Sequence, residues 1–149
     1  MKTTLISLSM ALLSFITAGT NAFAQKKGKD KILVNKTYTV EITETTGKKV
    51  GKTDNDEISF KSEKLNSKWM TTNNHFPAAL YTVSVDSSST PPSFTFTSEG
   101  KDQDGQDIKW DGSVTGDDIE GTAVISKKGK TKKEYSFTGT LKPKPGAKK

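Results

Sequence analysis

The chain contains no cysteine, no arginine and only one histidine. Without cysteine it can form no disulfide, no thiolate metal site and no cysteine nucleophile. Sites for nucleic acid rely on the planar fork of arginine, so its absence argues against a nucleic-acid partner. His75 alone cannot build a zinc site of the usual kind, and the chain lacks the Gly-x-Ser-x-Gly motif of a serine hydrolase. We therefore expect a non-enzymatic protein with no cofactor, no catalytic residues and no metal site.

Long apolar runs and helical periodicity are also missing beyond the N-terminal region. No stretch after Gln25 approaches the roughly 20 apolar residues that a transmembrane helix requires. No window of a dozen residues repeats its apolar positions every 3.6 residues. We expect no transmembrane segment in the mature chain and no long helix.

The N-terminal region has the pattern of a secretory signal peptide. Lys2 supplies a positive charge, residues 5–18 are uncharged and mostly apolar, and Ala22-Phe23-Ala24 places small residues where signal peptidase requires them. The pattern predicts a signal peptide over residues 1–24. The protein is expected to be exported, to the periplasm or the extracellular medium.

The positive charge of the chain is concentrated at its two ends. The formal net charge is +6, with residues 25–31 carrying +3 and residues 142–149 carrying +4, whereas residues 32–141 carry −2. Neither basic run is interleaved with aromatic residues. We interpret 25–31 and 142–149 as flexible basic segments that flank a single domain over 32–141.

That domain has the alternating pattern of β-strands. Apolar and polar residues alternate in seven runs, and a further short strand is predicted over 65–70. The runs are Tyr38–Ile42, Ile58–Phe60, Tyr81–Val85, Phe94–Phe96, Ile108–Val114, Ile119–Ile125 and Tyr135–Leu141. Eight short strands with frequent turn signals predict an all-β, antiparallel up-and-down β-barrel, with a β-sandwich as the alternative.

The last three strands can be aligned from their turns. A turn at Gly116-Asp117 pairs Gly112 with Gly121, and a second hairpin centred on Lys130 pairs Gly121 with Gly139. The three glycines would then form one row on the inner face. Such a row would either allow sharp sheet curvature and close packing, which we favour, or leave space for a ligand.

The inward positions are rich in aromatic residues. They are candidates for the core or for the lining of a ligand site: Tyr38, Phe60, Tyr81, Phe94, Phe96, Trp110, Tyr135 and Phe137. These side chains have enough volume to fill a small eight-stranded barrel.

The run WDGSVTGDDIEGT at 110–122, closed by FTGT at 137–140, resembles the C-terminal half of small lipocalin-like proteins exported by Gram-negative bacteria. Most of these proteins have no assigned activity. The resemblance implies an up-and-down barrel of the calycin type. The Gly-x-Trp motif of true lipocalins is absent around Trp69, so no ligand-binding residue is transferred.

The acidic segment 102–111 has some of the features of a calcium-binding loop. Asp102, Asp104 and Asp107 surround Gly105, but an EF-hand alignment would put Gly100 at the first ligand position and Asp111 at the twelfth. The agreement is poor, and a polar hairpin loop explains the segment better.

Two functions remain after these exclusions. The leading one is a structural or interaction module with a largely filled core, whose partner is an envelope or extracellular protein. The alternative is a binding protein for a small apolar ligand inside the barrel.

The signal-peptide interpretation predicts that the exported protein begins at Gln25. Signal peptidase cleaves after the small residue of an A-x-A motif, here Ala24. N-terminal sequencing of protein recovered outside the cytoplasm measures this directly, and an intact Met1 would contradict it.

Overall fold

The computed structural model describes residues 31–47 and 50–146. The predicted signal peptide, residues 25–30 of the basic N-terminal segment and residues 147–149 lie outside this part. The strands are β1 (Thr37–Glu44), β2 (Thr53–Lys61), β3 (Lys64–Ser67), β4 (Ala79–Asp86), β5 (Ser93–Lys101), β6 (Gln106–Thr115), β7 (Asp118–Lys127) and β8 (Lys130–Leu141). One helix, α1 (Lys68–Asn74), follows β3. The described residues include no helix long and apolar enough to cross a bilayer.

The eight strands form a closed antiparallel up-and-down barrel, as the sequence predicts. Each strand pairs with the next along the chain, and β8 pairs with β1. Three of the connections are two-residue turns that use left-handed backbone conformations. In the turn between β6 and β7, Gly116 has φ 61°. In the turn between β7 and β8, Lys128 and Gly129 have φ 53° and 74°. In the turn between β2 and β3, Ser62 and Glu63 have φ 50° and 62°.

The register of the β6–β7 hairpin agrees with the prediction. Gly112 lies opposite Gly121, Trp110 opposite Ala123 and Val114 opposite Ile119. The period of two and the glycine at the first turn position were sufficient to fix this pairing.

The predicted register of the β7–β8 hairpin is wrong by two residues. The turn lies at Lys128-Gly129, and an irregularity at Ile125/Ser126 absorbs the extra residue. Gly121 therefore faces Phe137, while Gly139 faces Ile119 on one side and Val40 on the other. Because a two-residue shift preserves the face of every side chain, the inward set is unchanged, but the row of three glycines does not form.

The predicted strand over 65–70 ends early. Ser67 is the N-cap of α1, and its hydroxyl accepts a hydrogen bond from the Met70 N–H at 3.0 Å. A serine in this position satisfies a free N–H of the first helical turn, so the chain leaves the sheet at Lys68. His75 ends the helix in a left-handed conformation with φ 58°.

The inward side chains form one buried apolar cluster inside the barrel. The buried apolar residues are Leu33, Tyr38, Val40, Ile42, Ile58, Phe60, Leu65, Met70, Phe76, Tyr81, Phe96, Ile108, Trp110, Val114, Ile119, Ala123, Ile125, Tyr135 and Phe137. Seven of the eight aromatic residues singled out in the sequence belong to this set. Phe94 is only half-buried, and Val85, opposite it, is 49% exposed, because no described residue pairs with Thr82–Asp86, the lower half of β4, on the side away from β5.

Both ends of the domain contact the barrel beyond its strands. Leu33 is fully buried, and the Asn35 N–H donates to the Phe60 carbonyl at 2.7 Å. At the other end, the Lys142 N–H donates to the Thr37 carbonyl at 2.8 Å, and its ammonium contacts Glu57 at 2.5 Å. Lys142, assigned from the sequence to the basic tail, thus extends the contact of β8 with β1.

Trp110→Ala tests this description of the core. Trp110 is 3% exposed and its ring lies 5.6 Å from that of Phe137. We expect the substitution to lower the free energy of unfolding by about 3–5 kcal/mol, because a large cavity would remain. Denaturant titration measures the change. Lys109→Ala, at the exposed neighbouring position, is the control and should change stability by less than about 0.5 kcal/mol; equal effects would contradict the assignment.

Candidate functional site

The aromatic side chains of the inner wall contact one another across the barrel. Phe60 lies near the centre, with its ring centroid 4.9 Å from that of Tyr81 and 5.1 Å from that of Phe96, both edge to face. Phe137 continues the contact from Phe96 to Trp110. Such edge-to-face geometry is favourable beyond the burial of apolar area.

The glycines of the inner wall are in direct contact with these rings. A Cβ atom on Gly112 would lie 2.8 Å from Phe96 Cε1, and one on Gly121 would lie 2.7 Å from Phe137 Cζ. A Cβ atom on Gly139 would meet the Val40 side chain at 2.7 Å. No real Cβ atom is tolerated at such distances, so these glycines accommodate neighbouring side chains and backbone. The space they leave is occupied by protein atoms.

Helix α1 closes the upper end of the barrel, where β3 ends at Ser67. Met70 within the helix and Phe76, two residues after it, are both buried. The ring of Trp69 lies 5.4 Å from that of Tyr135 in β8. The short helix therefore adds apolar contacts to the top of the core, and we call α1 the lid of the barrel.

A buried carboxylate attaches this helix to the sheet. Asp56 in β2 is 4% exposed. Its Oδ2 accepts from the Ser67 hydroxyl at 2.5 Å, and its Oδ1 accepts from the Trp69 N–H at 2.7 Å and the Glu57 N–H at 2.6 Å. The Ser67 hydroxyl in turn accepts a hydrogen bond from the Met70 N–H. The Asp56 carboxylate is therefore connected to the first turn of α1 both directly, through Trp69, and through Ser67.

The surroundings of Asp56 change the pKa of its carboxyl group. Burial raises the pKa of this carboxyl above its ordinary value of 3.8, and the hydrogen bonds from Ser67, Trp69 and Glu57 offset only part of that effect. A carboxylic acid with a raised pKa inside a folded protein binds its proton more readily than in the unfolded chain.

A groove of about 370 Å³ runs between α1 and the outer faces of β1 and β2. It exists because β3 stops at Ser67 and leaves the upper half of β2 beside a helix instead of a strand. Besides Asp56 and the partly buried Trp69, its walls are formed by two amides, two hydroxyls and one charge of each sign: Asn55, Asn73, Thr39, Thr72, Lys68 and Glu57. This mixture of donors and acceptors with one indole is suited to a polar ligand without net charge.

A second concavity lies outside the barrel on the walls of β6, β7 and β8. Its volume is about 410 Å³, and it is bordered mainly by hydroxyls and carboxylates, from Ser113, Thr115, Asp118, Glu120 and Thr138. Neither concavity is lined by the inner aromatic residues. We regard the groove beside α1 as the better candidate because it contains an aromatic side chain and is bounded by two kinds of element.

The other candidates from the sequence do not converge on a site. His75 is exposed at the end of α1. Asp102 Oδ1 accepts from the N–H groups of Asp104 and Gln106, and its Oδ2 accepts from the Gln106 amide, so this carboxylate closes its own hairpin. Although burial opposes it, these bonds hold the pKa of Asp102 below its ordinary value. Among residues 31–47 and 50–146, no group of three or more His, Cys, Asp or Glu side chains is placed to hold a metal ion.

Tyr135 is an inner aromatic residue with a buried hydroxyl. Its hydroxyl is buried without a hydrogen-bond partner of good geometry in the described residues. Burial raises the pKa of Tyr135, and the nearby ammonium of Lys133 partly offsets this.

Comparison with known proteins identifies no relative. The chain matches no protein-family model, no curated protein and no solved structure. The barrel, the groove and the lid are therefore interpreted from their own chemistry.

Replacing Asp56 tests its role in attaching the lid. Asp56→Ala leaves the Ser67 hydroxyl and the Trp69 N–H without their acceptor. We expect a loss of about 2–4 kcal/mol in the free energy of unfolding, measured by denaturant titration. The control is Asp54→Ala on the same strand, whose carboxylate forms a partly exposed ion pair with Lys52 and should contribute less than about 1 kcal/mol.

The same residue predicts a pH dependence. Because the pKa of Asp56 is higher in the folded than in the unfolded chain, the folded state binds more protons between these two values. The Asp56 contribution to stability therefore falls as the pH rises from below 3.8 through the raised pKa, and is constant above it. Asp56→Asn should remove this slope; an unchanged pH profile would contradict the assignment.

Proposed function

We propose that the protein is an exported, non-enzymatic interaction module that binds its partner through the outer surface of a filled barrel. The observation that carries this proposal is the contact of aromatic rings with glycines on the inner wall. Two of these contacts, from Phe96 to Gly112 and from Phe137 to Gly121, occupy the volume in which an apolar ligand would lie. The pattern of residues 1–24 supports export, and the glycine-rich hairpins support a relationship to small lipocalin-like exported proteins.

The groove beside α1 is the surface that we assign to the partner. Asn55 and Asn73 each offer a donor and an acceptor, as a peptide backbone does, and the positive charges of Lys68 and the adjoining Lys142 balance the carboxylates of Glu57 and Asp56. The ammonium of Lys142 holds Glu57 by a hydrogen bond and lowers the pKa of its carboxyl, which keeps it charged. An uncharged polar segment of an envelope or extracellular protein has the chemistry that this groove accepts.

Gly121→Val distinguishes a filled interior from a ligand cavity. The added side chain would collide with Gly112 Cα and Phe137 Cζ, at 2.6 and 2.7 Å from its Cβ atom. We expect a loss of about 1–3 kcal/mol or more, measured by denaturant titration, because no free volume receives the new atoms. The wild-type protein should take up no fluorescent apolar probe.

Thr122→Val provides the matched control, since it introduces the same side chain at the exposed neighbouring position of β7. Its stability should stay within about 0.5 kcal/mol of wild type. A Gly121→Val protein of wild-type stability that had lost probe uptake present in the wild type would instead establish the small-ligand carrier.

A further inference from the structure

The lower half of β4 is an open strand edge in an otherwise closed barrel. β3 pairs only with Ala79 and Leu80 of β4. One further bond, from the Tyr81 N–H to the Glu63 carbonyl at 3.2 Å, ends this seam. Below it, no described residue pairs with Thr82–Asp86 on the side away from β5.

The hydrogen bond from Tyr81 to Glu63 shows which backbone groups of β4 point away from β5. In an antiparallel ladder, alternate residues direct both backbone groups to the same neighbour. Since Tyr81 faces β3, the N–H and C=O groups of Val83 and Val85 face the open edge. The side chain of Val85 is 49% exposed there, and the edge segment contains neither lysine nor proline, which commonly protect such edges.

We propose that this edge binds the same edge of a second copy, forming a twofold β4–β4 dimer centred on Ser84. In antiparallel order this register places Val83 opposite Val85 of the other copy, twice, so that each pair exchanges two backbone hydrogen bonds. Inward residues then meet inward residues, as the period of two requires. The register involves Thr82–Asp86, the five residues of β4 with which no described residue pairs on this side.

Charge complementarity supports a second copy as the occupant. Lys61 and Lys64 lie directly opposite each other across the β2–β3 hairpin, and neither forms an ion pair within the described residues. Like charges in this arrangement repel. Lys64 is aligned with Leu80, and the proposed register aligns Asp86 of the other copy with Thr82, two positions further along the same outer face. Each dimer therefore brings Asp86 of one copy next to the β2–β3 turn of the other at two equivalent places, where Lys61, Glu63 and Lys64 together carry a net charge of +1.

The interface is small, so the dimer should be weak. Five residues from each copy form a contact at the low end of specific interfaces. We expect a dissociation constant on the order of 0.1 mM. Sedimentation equilibrium on protein purified from cells that express the full chain measures it, and a single monomeric species up to about 1 mM would overturn the proposal.

Val85→Pro tests the role of the edge. Proline removes an N–H that no bond within the barrel uses, so the monomer should keep its fold while the dissociation constant rises by about tenfold or more. Near-ultraviolet circular dichroism checks the fold. A folded Val85→Pro protein that dimerised as well as wild type would overturn the proposal.

Charge exchange provides a test that does not depend on proline. Lys64→Glu should weaken the dimer, and Lys64→Glu combined with Asp86→Lys should restore it. Lys132→Glu is the matched control, because Lys132 is an exposed lysine on β8, which does not adjoin β4, and its replacement should leave dimerisation unchanged. Failure of the double variant to restore association, or equal weakening by Lys132→Glu, would assign the edge to a different occupant, such as residues 25–30 or another protein. These outcomes are independent of the Gly121→Val experiment, which concerns the barrel interior.

Discussion

Close contact between aromatic rings and glycines on the inner wall is the constraint on which the closed barrel depends. The interior of an eight-stranded barrel is just wide enough to be filled by side chains. Phe96 and Phe137 reach across it because Gly112 and Gly121 carry no Cβ atom in their path. Glycine in a strand is costly in conformational entropy, and the packing of these rings offsets that cost. The same contacts are the reason that we propose a partner on the outer surface.

The shortness of β3 accounts for most of what is irregular in the molecule. Since β3 contains only four residues, the chain turns into α1 above it, and below it no described residue pairs with β4 on that side. The first consequence gives the barrel its lid, the Asp56 attachment and the groove. The second gives it an open edge. A single truncated strand thus creates both surfaces that we assign to partners, at opposite ends of one seam.

The fold class and the inward face of most strands could be predicted from the sequence, whereas the lid and the groove could not. Alternation in β6 and β7, with Gly116 at the turn, was sufficient to determine both the faces and the pairing. In β8 alternation predicted the faces but not the pairing, because a shift by two residues leaves the pattern unchanged. The role of Asp56 was missed because its partners lie at Ser67 and Trp69, 11 and 13 residues away. Two signals were available: alternation places Asp56 on the same face as Ile58 and Phe60, and serine is favoured at the start of helices.

The sequence by itself determined which side chains face inward, because side chains alternate along every strand and only one face of a barrel is dry. It also determined the chemistry that is missing, since the absence of cysteine and arginine does not depend on the fold. Only the tertiary structure decided how far β3 extends, which residues close the barrel and where space remains. Those properties depend on distances between side chains far apart in the chain. Whether Gly121 meets Phe137 or Gly139 is one such distance, and a pattern with a period of two is the same in either case.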